Sequence, residues 1–104
     1  MYDMKISCTA QYTLQPHMLM RRCGYAEYKN RQGVVSFVKR IRGIEFPRFH
    51  AYIELATNGF SINLHLDQKA PIYKSVSAHG GEYDGPVVER EGERIRTTVE
   101  QYGL

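Results

Sequence analysis

Several features that would assign this chain to a class are absent or scarce. No run of apolar residues is long enough to span a bilayer, which argues against a membrane-spanning helix. Residues 1–13 lack the basic start and the apolar block of a secretory signal, so we expect a cytoplasmic protein. Only two cysteines occur, Cys8 and Cys23, and they lack a C-x-x-C spacing. We therefore expect two reduced thiols, buried as small apolar side chains.

Length and composition indicate one globular domain. The chain has 104 residues, of which 42% are hydrophobic and 24% are charged, and these values are typical of folded domains. This length is sufficient to bury a core without a metal or a disulfide. Because the chain has no low-complexity tract and no internal repeat, we expect a single domain over residues 1–104.

Charge is distributed unevenly along the chain. Residues 1–48 contain nine basic and three acidic residues, whereas residues 49–104 contain five basic and eight acidic ones. The first part therefore carries a net charge of +6 and the second −3, within a total of +3. A one-sided basic surface attracts polyanions, so Arg40 and Arg42 are candidate contacts to nucleic acid. The alternative is an ordinary solvated surface, and no RNP or helix-turn-helix pattern is present.

Periodicity predicts an α+β fold. The predicted strands are residues 4–12, 25–29, 34–41, 49–55 and 60–67. Pro16 and Gly24 are placed to begin and end a short helix, and Pro86 and Gly103 bound a longer C-terminal helix. Because the strands do not alternate regularly with helices, we predict a four- to five-stranded antiparallel sheet with both helices on its apolar face. A long connection of low periodicity, residues 68–85, precedes the second helix.

Both predicted helices have an apolar side. Leu19 and Cys23 are expected to point inward from the first helix. In the second helix an apolar stripe is formed by Val88, Ile95, Val99 and Tyr102. Gly92 lies near this stripe, and it costs about 1 kcal/mol of helix stability relative to Ala. Close packing of the helix on the sheet would explain a glycine at this position.

The most informative stretch is the predicted hairpin at residues 49–69. Asn58-Gly59 is a strong signal for a two-residue type I′ turn, because both residues tolerate positive φ angles. This turn would place His50 opposite Asp67. A longer loop would instead place His50 opposite His65, with the same side chains on each face. A slip of one residue would mix polar and apolar side chains on both faces and is disfavoured.

The two faces of this hairpin differ sharply in polarity. Side chains alternate along a strand, so residues two apart share a face. The polar face holds His50, Tyr52, Glu54, Asn63, His65 and Asp67. The apolar face holds Phe49, Ala51, Ile53, Leu55, Ile62, Leu64 and Leu66. We therefore expect the apolar face to form the core and the polar face to carry any functional site.

Imidazole and carboxylate groups on the polar face suggest a metal site. His50, His65 and Asp67 are ligand types for zinc or manganese, and His79 could supply a fourth ligand from the long connection. A metal-bound water at such a site could hydrolyse a phosphate-containing substrate. The residues expected to bind that substrate are Arg48, Tyr52, Lys69 and Glu82. This is the leading hypothesis from the sequence.

Other interpretations of the same residues remain open. Without a metal, Asp67 could orient His50, or His65 could bond to Tyr52, to give an acid–base pair. The chain contains neither a nucleophile elbow nor a phosphate-binding glycine loop. A cross-strand His–Asp pair could also serve only to stabilise the hairpin. A further alternative is a non-catalytic module that binds nucleic acid through Arg40 and Arg42, or that forms a homodimer through an exposed sheet edge.

Three segments carry a resemblance to other proteins. They are Pro47-Arg48-Phe49-His50, the run from Leu64 to Lys69, and His79 followed by Glu82-Tyr83. In these segments the chain resembles small prokaryotic proteins without an assigned activity. The resemblance covers residues 19–95 and implies a bacterial or archaeal cytosolic protein. It implies no activity, cofactor or partner.

Overall fold

Five strands and two helices make up the part of the chain that the structure describes. A computed structural model describes residues 3–68 and 85–104. In chain order the elements are β1 (Asp3–Cys8), α1 (Pro16–Arg22), β2 (Ala26–Lys29), β3 (Val35–Arg40), β4 (Arg48–Ala56), β5 (Gly59–Asp67) and α2 (Gly85–Glu100). The strands form one antiparallel sheet in the order β1-β5-β4-β3-β2. The α+β prediction, with an antiparallel sheet and a short and a long helix, is confirmed.

The apolar face of the sheet forms the core with both helices. Helix α2 packs on β1 and β5, while α1 packs on β2. The predicted inward positions Leu19 and Cys23 are buried, and so is Met20, which the sequence analysis did not assign. In α2 the buried stripe is Val88, Ile95 and Val99, while Tyr102 beyond the helix end is partly buried. These helices therefore bury the sides that their sequence periodicity predicted.

Gly92 allows α2 to approach the sheet closely. It is buried, and a Cβ atom at this position would collide with the thioether of Met4 on β1. The predicted reason for this glycine is therefore confirmed. Gly92 lowers the helix propensity of α2, but a residue with a Cβ atom would not fit there, because the side chain of Met4 occupies that space.

The hairpin of β4 and β5 has the alternative register considered from the sequence, with His50 opposite His65, and its turn differs from the predicted Asn58-Gly59 loop. Ala56 pairs with Gly59, so Thr57 and Asn58 form the loop and His50 lies opposite His65. A type I′ turn needs a positive φ at both central residues, but no non-glycine residue in the described segments has one. Gly59 has a φ of 142°, and a Cβ atom there would collide with the carbonyl of Cys8. Glycine is thus used in strand β5, where β1 passes closely, rather than in the turn.

The first strand is shorter than its alternating pattern suggested. β1 ends at Cys8, and Tyr12 forms only an isolated bridge with Gly103 near the C-terminus. The backbone N–H of Thr13 donates to the carbonyl of Tyr102 (2.8 Å). Pairing with the chain end therefore replaces the continuation of β1.

Both cysteines are free and buried, as the sequence predicted. Burial raises the pKa of the Cys23 thiol to about 11 and also raises the pKa of the Cys8 thiol. A thiol with a raised pKa is a weak nucleophile at neutral pH, because the thiolate is the reactive form. These two cysteines therefore act as core residues.

A partly buried polar cluster fastens α2 to the segment between α1 and β2. The hydroxyl of Tyr25 donates to Glu91 Oε2 (2.7 Å), and Arg94 forms two hydrogen bonds of 2.8 Å to the same carboxylate. Arg94 also donates to the carbonyl of Cys23 (2.7 Å). Burial and the negative charge of Glu91 both raise the pKa of Tyr25, so its hydroxyl remains a donor. Every polar group of the cluster is thereby paired, which a buried carboxylate requires.

No helix within the described residues is long and apolar enough to cross a membrane.

The sheet has β1 at one edge and β2 at the other. The predicted homodimer would use one of these edges, and it stays a prediction.

We predict that Tyr25→Phe lowers the free energy of unfolding by about 1.5 kcal/mol, because it removes a buried hydrogen bond to a charged group. Tyr28→Phe is the matched control: Tyr28 is 39% exposed, and its replacement should change stability by less than about 0.5 kcal/mol. Urea denaturation of both variants measures the difference. Equal stabilities of the two variants would show that the cluster does not fasten α2.

Candidate acid–base site on the polar face of the sheet

The polar face carries three aligned rows of side chains that cross several strands. The strand register gives one row as Ala26, Val38, His50, His65 and Asp3, across all five strands. The neighbouring row on β3, β4 and β5 is Arg40, Arg48 and Asp67. On the other side of the first row, Tyr28 lies opposite Ser36, and Asn63 lies between its two partners Tyr52 and Lys5. The face predicted from the hairpin therefore continues over the whole sheet.

His50 is held by hydrogen bonds at both ring nitrogens. Its Nδ1 is 2.6 Å from Asp67 Oδ2, and its Nε2 is 2.7 Å from Ser36 Oγ. With the proton on Nδ1, the imidazole donates to the carboxylate and accepts from the serine hydroxyl. His50 is 7% exposed and Ser36 is 2% exposed. The sheet thus aligns a hydroxyl, an imidazole and a carboxylate from β3, β4 and β5.

Aromatic rings and a guanidinium surround this chain of hydrogen bonds. Tyr52 stacks on the His50 ring with centroids 4.6 Å apart, and the Tyr28 ring meets His50 edge-on at 6.0 Å. Arg48 Nε donates to Asp67 Oδ2 at 3.4 Å. The Arg48 guanidinium also lies 5.1 Å from the Tyr28 ring and 4.6 Å from the Phe46 ring. These contacts restrict the orientation of His50 and place a positive charge beside Asp67.

A second histidine–aspartate pair, formed by His65 and Asp3, lies beside Tyr52. His65 Nδ1 is 3.6 Å from Asp3 Oδ2, which is longer than a hydrogen bond. This Nδ1 atom is sealed from solvent and has no hydrogen-bond partner among the described residues. The Tyr52 ring meets the His65 ring edge-on at 5.6 Å. The Tyr52 ring therefore contacts both histidine rings, and each histidine has a carboxylate nearby.

The structure brings together most of the site residues predicted on the hairpin. Arg48 and His50 both contact Asp67, while Tyr52 stacks on His50. His65 lies directly opposite His50 on the neighbouring strand. The predicted contact of His50 with Asp67 exists, but it runs diagonally across the strands rather than between opposed residues. Lys69, His79 and Glu82 lie outside the described residues, so their predicted roles stay predictions.

Ser36 is the site residue that the sequence analysis missed. It lies on β3, two residues before Val38, which is opposite His50. The available signal was the alternation in the third strand, which places Ser36 on the face opposite Phe37. A serine on a polar strand face is common, so only the pairing of β3 with β4 distinguishes it from other serines.

The predicted metal site includes His50 and Asp67, which already have protein partners. Both ring nitrogens of His50 are engaged, so the imidazole would have to release Asp67 or Ser36 to bind an ion. Within residues 3–68 and 85–104, no three side chains of His, Cys, Asp or Glu are placed to hold a metal together. The metal hypothesis stays a prediction.

The predicted nucleic-acid contacts lie at one end of β3. Arg40 is exposed and lies opposite Arg48 on the polar face, while Arg42 follows in the connection to β4. Other cations of this face have acidic neighbours: Lys5 Nζ is 3.7 Å from Glu54 Oε1, and Arg48 contacts Asp67. Binding of nucleic acid through Arg40 and Arg42 stays a prediction.

A zinc titration tests the metal hypothesis. If His50 and His65 are ligands, zinc should shift the NMR signals of both rings together with those of Asp67, and it should saturate near one equivalent. Manganese and nickel extend the same test to other ions. His17 on α1 is the internal control, because it is exposed and lies outside the polar face. Indifference of every histidine ring to all three ions would end the hypothesis.

Comparison of the chain with protein-family models, with curated proteins and with solved structures found no match. The chemistry available to the site therefore follows from its geometry. It consists of a hydroxyl bonded to an imidazole, a carboxylate that fixes the imidazole, and a guanidinium that contacts the carboxylate.

Proposed function

We propose that the protein is a hydrolase of carboxylic esters, with Ser36 as nucleophile and His50 as general base. One observation carries this proposal: a continuous chain of hydrogen bonds leads from Ser36 Oγ through both nitrogens of His50 to Asp67 Oδ2. A serine hydroxyl is a weak nucleophile unless an adjacent base accepts its proton. The same order of groups supports acyl transfer on unrelated folds, and it is recognised by geometry rather than by sequence position.

The proposed reaction has two proton transfers through His50. Ser36 Oγ attacks the ester carbonyl carbon while its proton moves to His50 Nε2. The ester bond to the leaving oxygen then breaks, the leaving alcohol takes that proton, and an acyl ester remains on Ser36. Water attacks this ester and gives its proton to His50, which returns it to Ser36 Oγ as the carboxylic acid departs.

Asp67 and Arg48 are assigned supporting roles. Asp67 accepts the hydrogen bond from Nδ1, fixes that tautomer of His50, and stabilises the imidazolium that forms during the reaction. Arg48 contacts the same carboxylate oxygen and lies beside Tyr28, which pairs with Ser36 across β2 and β3. We assign to Arg48 the electrostatic support of the Asp67 carboxylate, which it contacts.

This proposal keeps the hydrolytic part of the sequence hypothesis and changes its chemistry. The sequence analysis proposed a metal-activated water and a phosphate-containing substrate. Here the proposed nucleophile is a protein hydroxyl, because Ser36 Oγ lies 2.7 Å from His50 Nε2 and Asp67 Oδ2 lies 2.6 Å from the other ring nitrogen. The cytoplasmic location expected from the sequence stays a prediction.

Labelling with a fluorophosphonate tests the nucleophile directly, because this probe forms a covalent bond with activated serines. We expect modification at Ser36 in the folded protein, located by peptide mass mapping, and none after heat denaturation. His50→Gln and Asp67→Asn should each slow labelling by at least about 100-fold, since general-base catalysis supplies 10²–10⁴-fold. Hydrolysis of p-nitrophenyl acetate should decline in parallel.

Ser7 and Ser61 provide matched controls. They pair with each other across β1 and β5 on the same face as Ser36, so replacing either with alanine should leave the labelling rate unchanged. Circular dichroism confirms that each variant is folded. Labelling that persists in Ser36→Ala, or that is absent in the folded wild-type protein, would disprove the assignment.

Access to Ser36 gives a second prediction. The serine is 2% exposed, while Tyr28 lies opposite it on the short edge strand β2. Because Tyr28 pairs with Ser36 and its ring reaches His50, Tyr28→Ala should speed fluorophosphonate labelling by several fold. Val34→Ala is the control, since Val34 is exposed but precedes β3. A slower reaction in Tyr28→Ala would show that Tyr28 positions the serine instead of covering it.

A further inference from the structure

Strand β2 forms one edge of the sheet and offers a surface to which a further strand can bind. It pairs with β3 on one side, and on its other side no strand among residues 3–68 and 85–104 lies against it. All four of its residues, Ala26–Lys29, are exposed. An exposed sheet edge presents backbone N–H and C=O groups that can pair with another chain. We call this feature the β2 edge.

The backbone groups that face outward from β2 belong to Glu27 and Lys29. Asn30 directly follows β2, and its N–H donates to the carbonyl of Val34 on the β3 side (3.0 Å). Because backbone groups alternate in direction along an antiparallel strand, those of Tyr28 also face β3, whereas those of Glu27 and Lys29 face away from the sheet. Within β2, another strand can therefore form hydrogen bonds only to these two residues.

The charges of the β2 edge complement those of a second copy of this chain. Glu27 and Lys29 lie on the helix side of the sheet, because Glu27 is opposite the buried Phe37. In an antiparallel pair with Tyr28 opposite the partner's Tyr28, Glu27 meets the partner's Lys29, and two-fold symmetry repeats this contact. A register centred on Glu27 or on Lys29 would set like charges against each other. A register centred between two residues would set outward-facing backbone groups against inward-facing ones.

The side chains around β2 leave space for this pairing. On the helix side, Arg21 Nη2 of α1 lies 3.7 Å from Glu27 Oε1, and both side chains are exposed, at 58% and 43%. An exposed ion pair of this kind contributes little, so Glu27 remains able to meet a lysine of a second chain. On the polar face, Tyr28 is 39% exposed. Pairing would place two tyrosine rings side by side, which is a favourable cross-strand contact.

We propose that the protein forms a two-fold symmetric dimer in which the β2 edges of two copies pair in antiparallel orientation, with Tyr28 at the centre. Each Glu27 exchanges backbone hydrogen bonds with the partner's Lys29, and the two sheets become one continuous sheet. Ser36 is the neighbour of Tyr28 on β3. The Ser36 residues of the two protomers therefore lie three strand spacings apart, roughly 14 Å. The dimer does not depend on the proposed ester hydrolysis.

Disulfide cross-linking of the full-length protein tests the pairing and its register. Tyr28→Cys would bring two cysteines to a Cα separation of about 4.5 Å, within the range that a disulfide spans. We expect this variant to form a covalent dimer under mild oxidation, while the wild-type protein stays uncross-linked because Cys8 and Cys23 are buried.

Ala26→Cys is the matched control for this cross-link. Ala26 is exposed and lies on the same face as Tyr28, but the partner's Ala26 would be about 13 Å away along the strand. Tyr28→Cys should therefore cross-link at least about tenfold faster than Ala26→Cys. Equal rates in the two variants, or no covalent dimer of Tyr28→Cys, would overturn the proposal.

Charge reversal tests the contact between Glu27 and Lys29 in solution. Sedimentation of the wild-type protein at several concentrations should show a reversible monomer–dimer equilibrium. Lys29→Glu should weaken dimerisation by at least about tenfold, because symmetry turns both ion pairs into like-charge pairs. Adding Glu27→Lys to the same chain should restore most of the affinity, since the two charges are then exchanged.

Lys5→Glu is the control for charge reversal, because Lys5 lies on β1 at the opposite edge of the sheet. This variant should dimerise as the wild-type protein does. Circular dichroism confirms that each variant is folded. A wild-type protein that sediments as a monomer at every concentration, or a double variant that dimerises no better than Lys29→Glu alone, would contradict the proposed dimer.

Discussion

Antiparallel pairing of β4 with β5 is the constraint on which the rest of the molecule depends. Nine residues pair with nine, so alternation separates polar from apolar side chains along the full length of both strands. The apolar face supplies Ala51, Ile62 and Leu64, all at 0% exposure, to the core under α2. The polar face supplies His50 and Asp67. A slip of one residue would exchange these two sets and remove both core and site.

Within the polar face, burial of His50 requires its two partners. A largely buried imidazole with an unpaired nitrogen would be unfavourable, and the sheet avoids this by supplying Ser36 from one neighbouring strand and Asp67 from the other. The same hydrogen bonds that satisfy the imidazole also align it for proton transfer. Packing and the proposed chemistry therefore use one set of contacts.

A second polar cluster, formed by Tyr25, Glu91 and Arg94, lies on the helix side of the sheet and has a different character. Its carboxylate is bonded to a tyrosine and an arginine, and the arginine also binds a backbone carbonyl. The pKa of Arg94 is raised by its hydrogen bonds to Glu91 and the pKa of Tyr25 is raised by burial, so neither group changes its protonation near neutral pH. This cluster fastens the C-terminal helix, whereas the chain from Ser36 to Asp67 contains a histidine that can accept and return a proton.

The sequence by itself determined the fold class, the inward sides of both helices and the polar face of the hairpin, because each follows from local periodicity. It also explained Gly92 correctly. It placed Gly59 in the turn, which is wrong. Position 59 requires glycine because the backbone of Cys8, a residue distant in the chain, lies too close for a Cβ atom. Only the tertiary structure decided that His50 faces His65, that its contact with Asp67 is diagonal, and that Ser36 completes the hydrogen-bonded chain. Those facts depend on which strands are neighbours and in what register. The hairpin pattern predicted that His50 meets Asp67, but nothing local indicates that Ser36, which lies 14 positions before His50, contacts it.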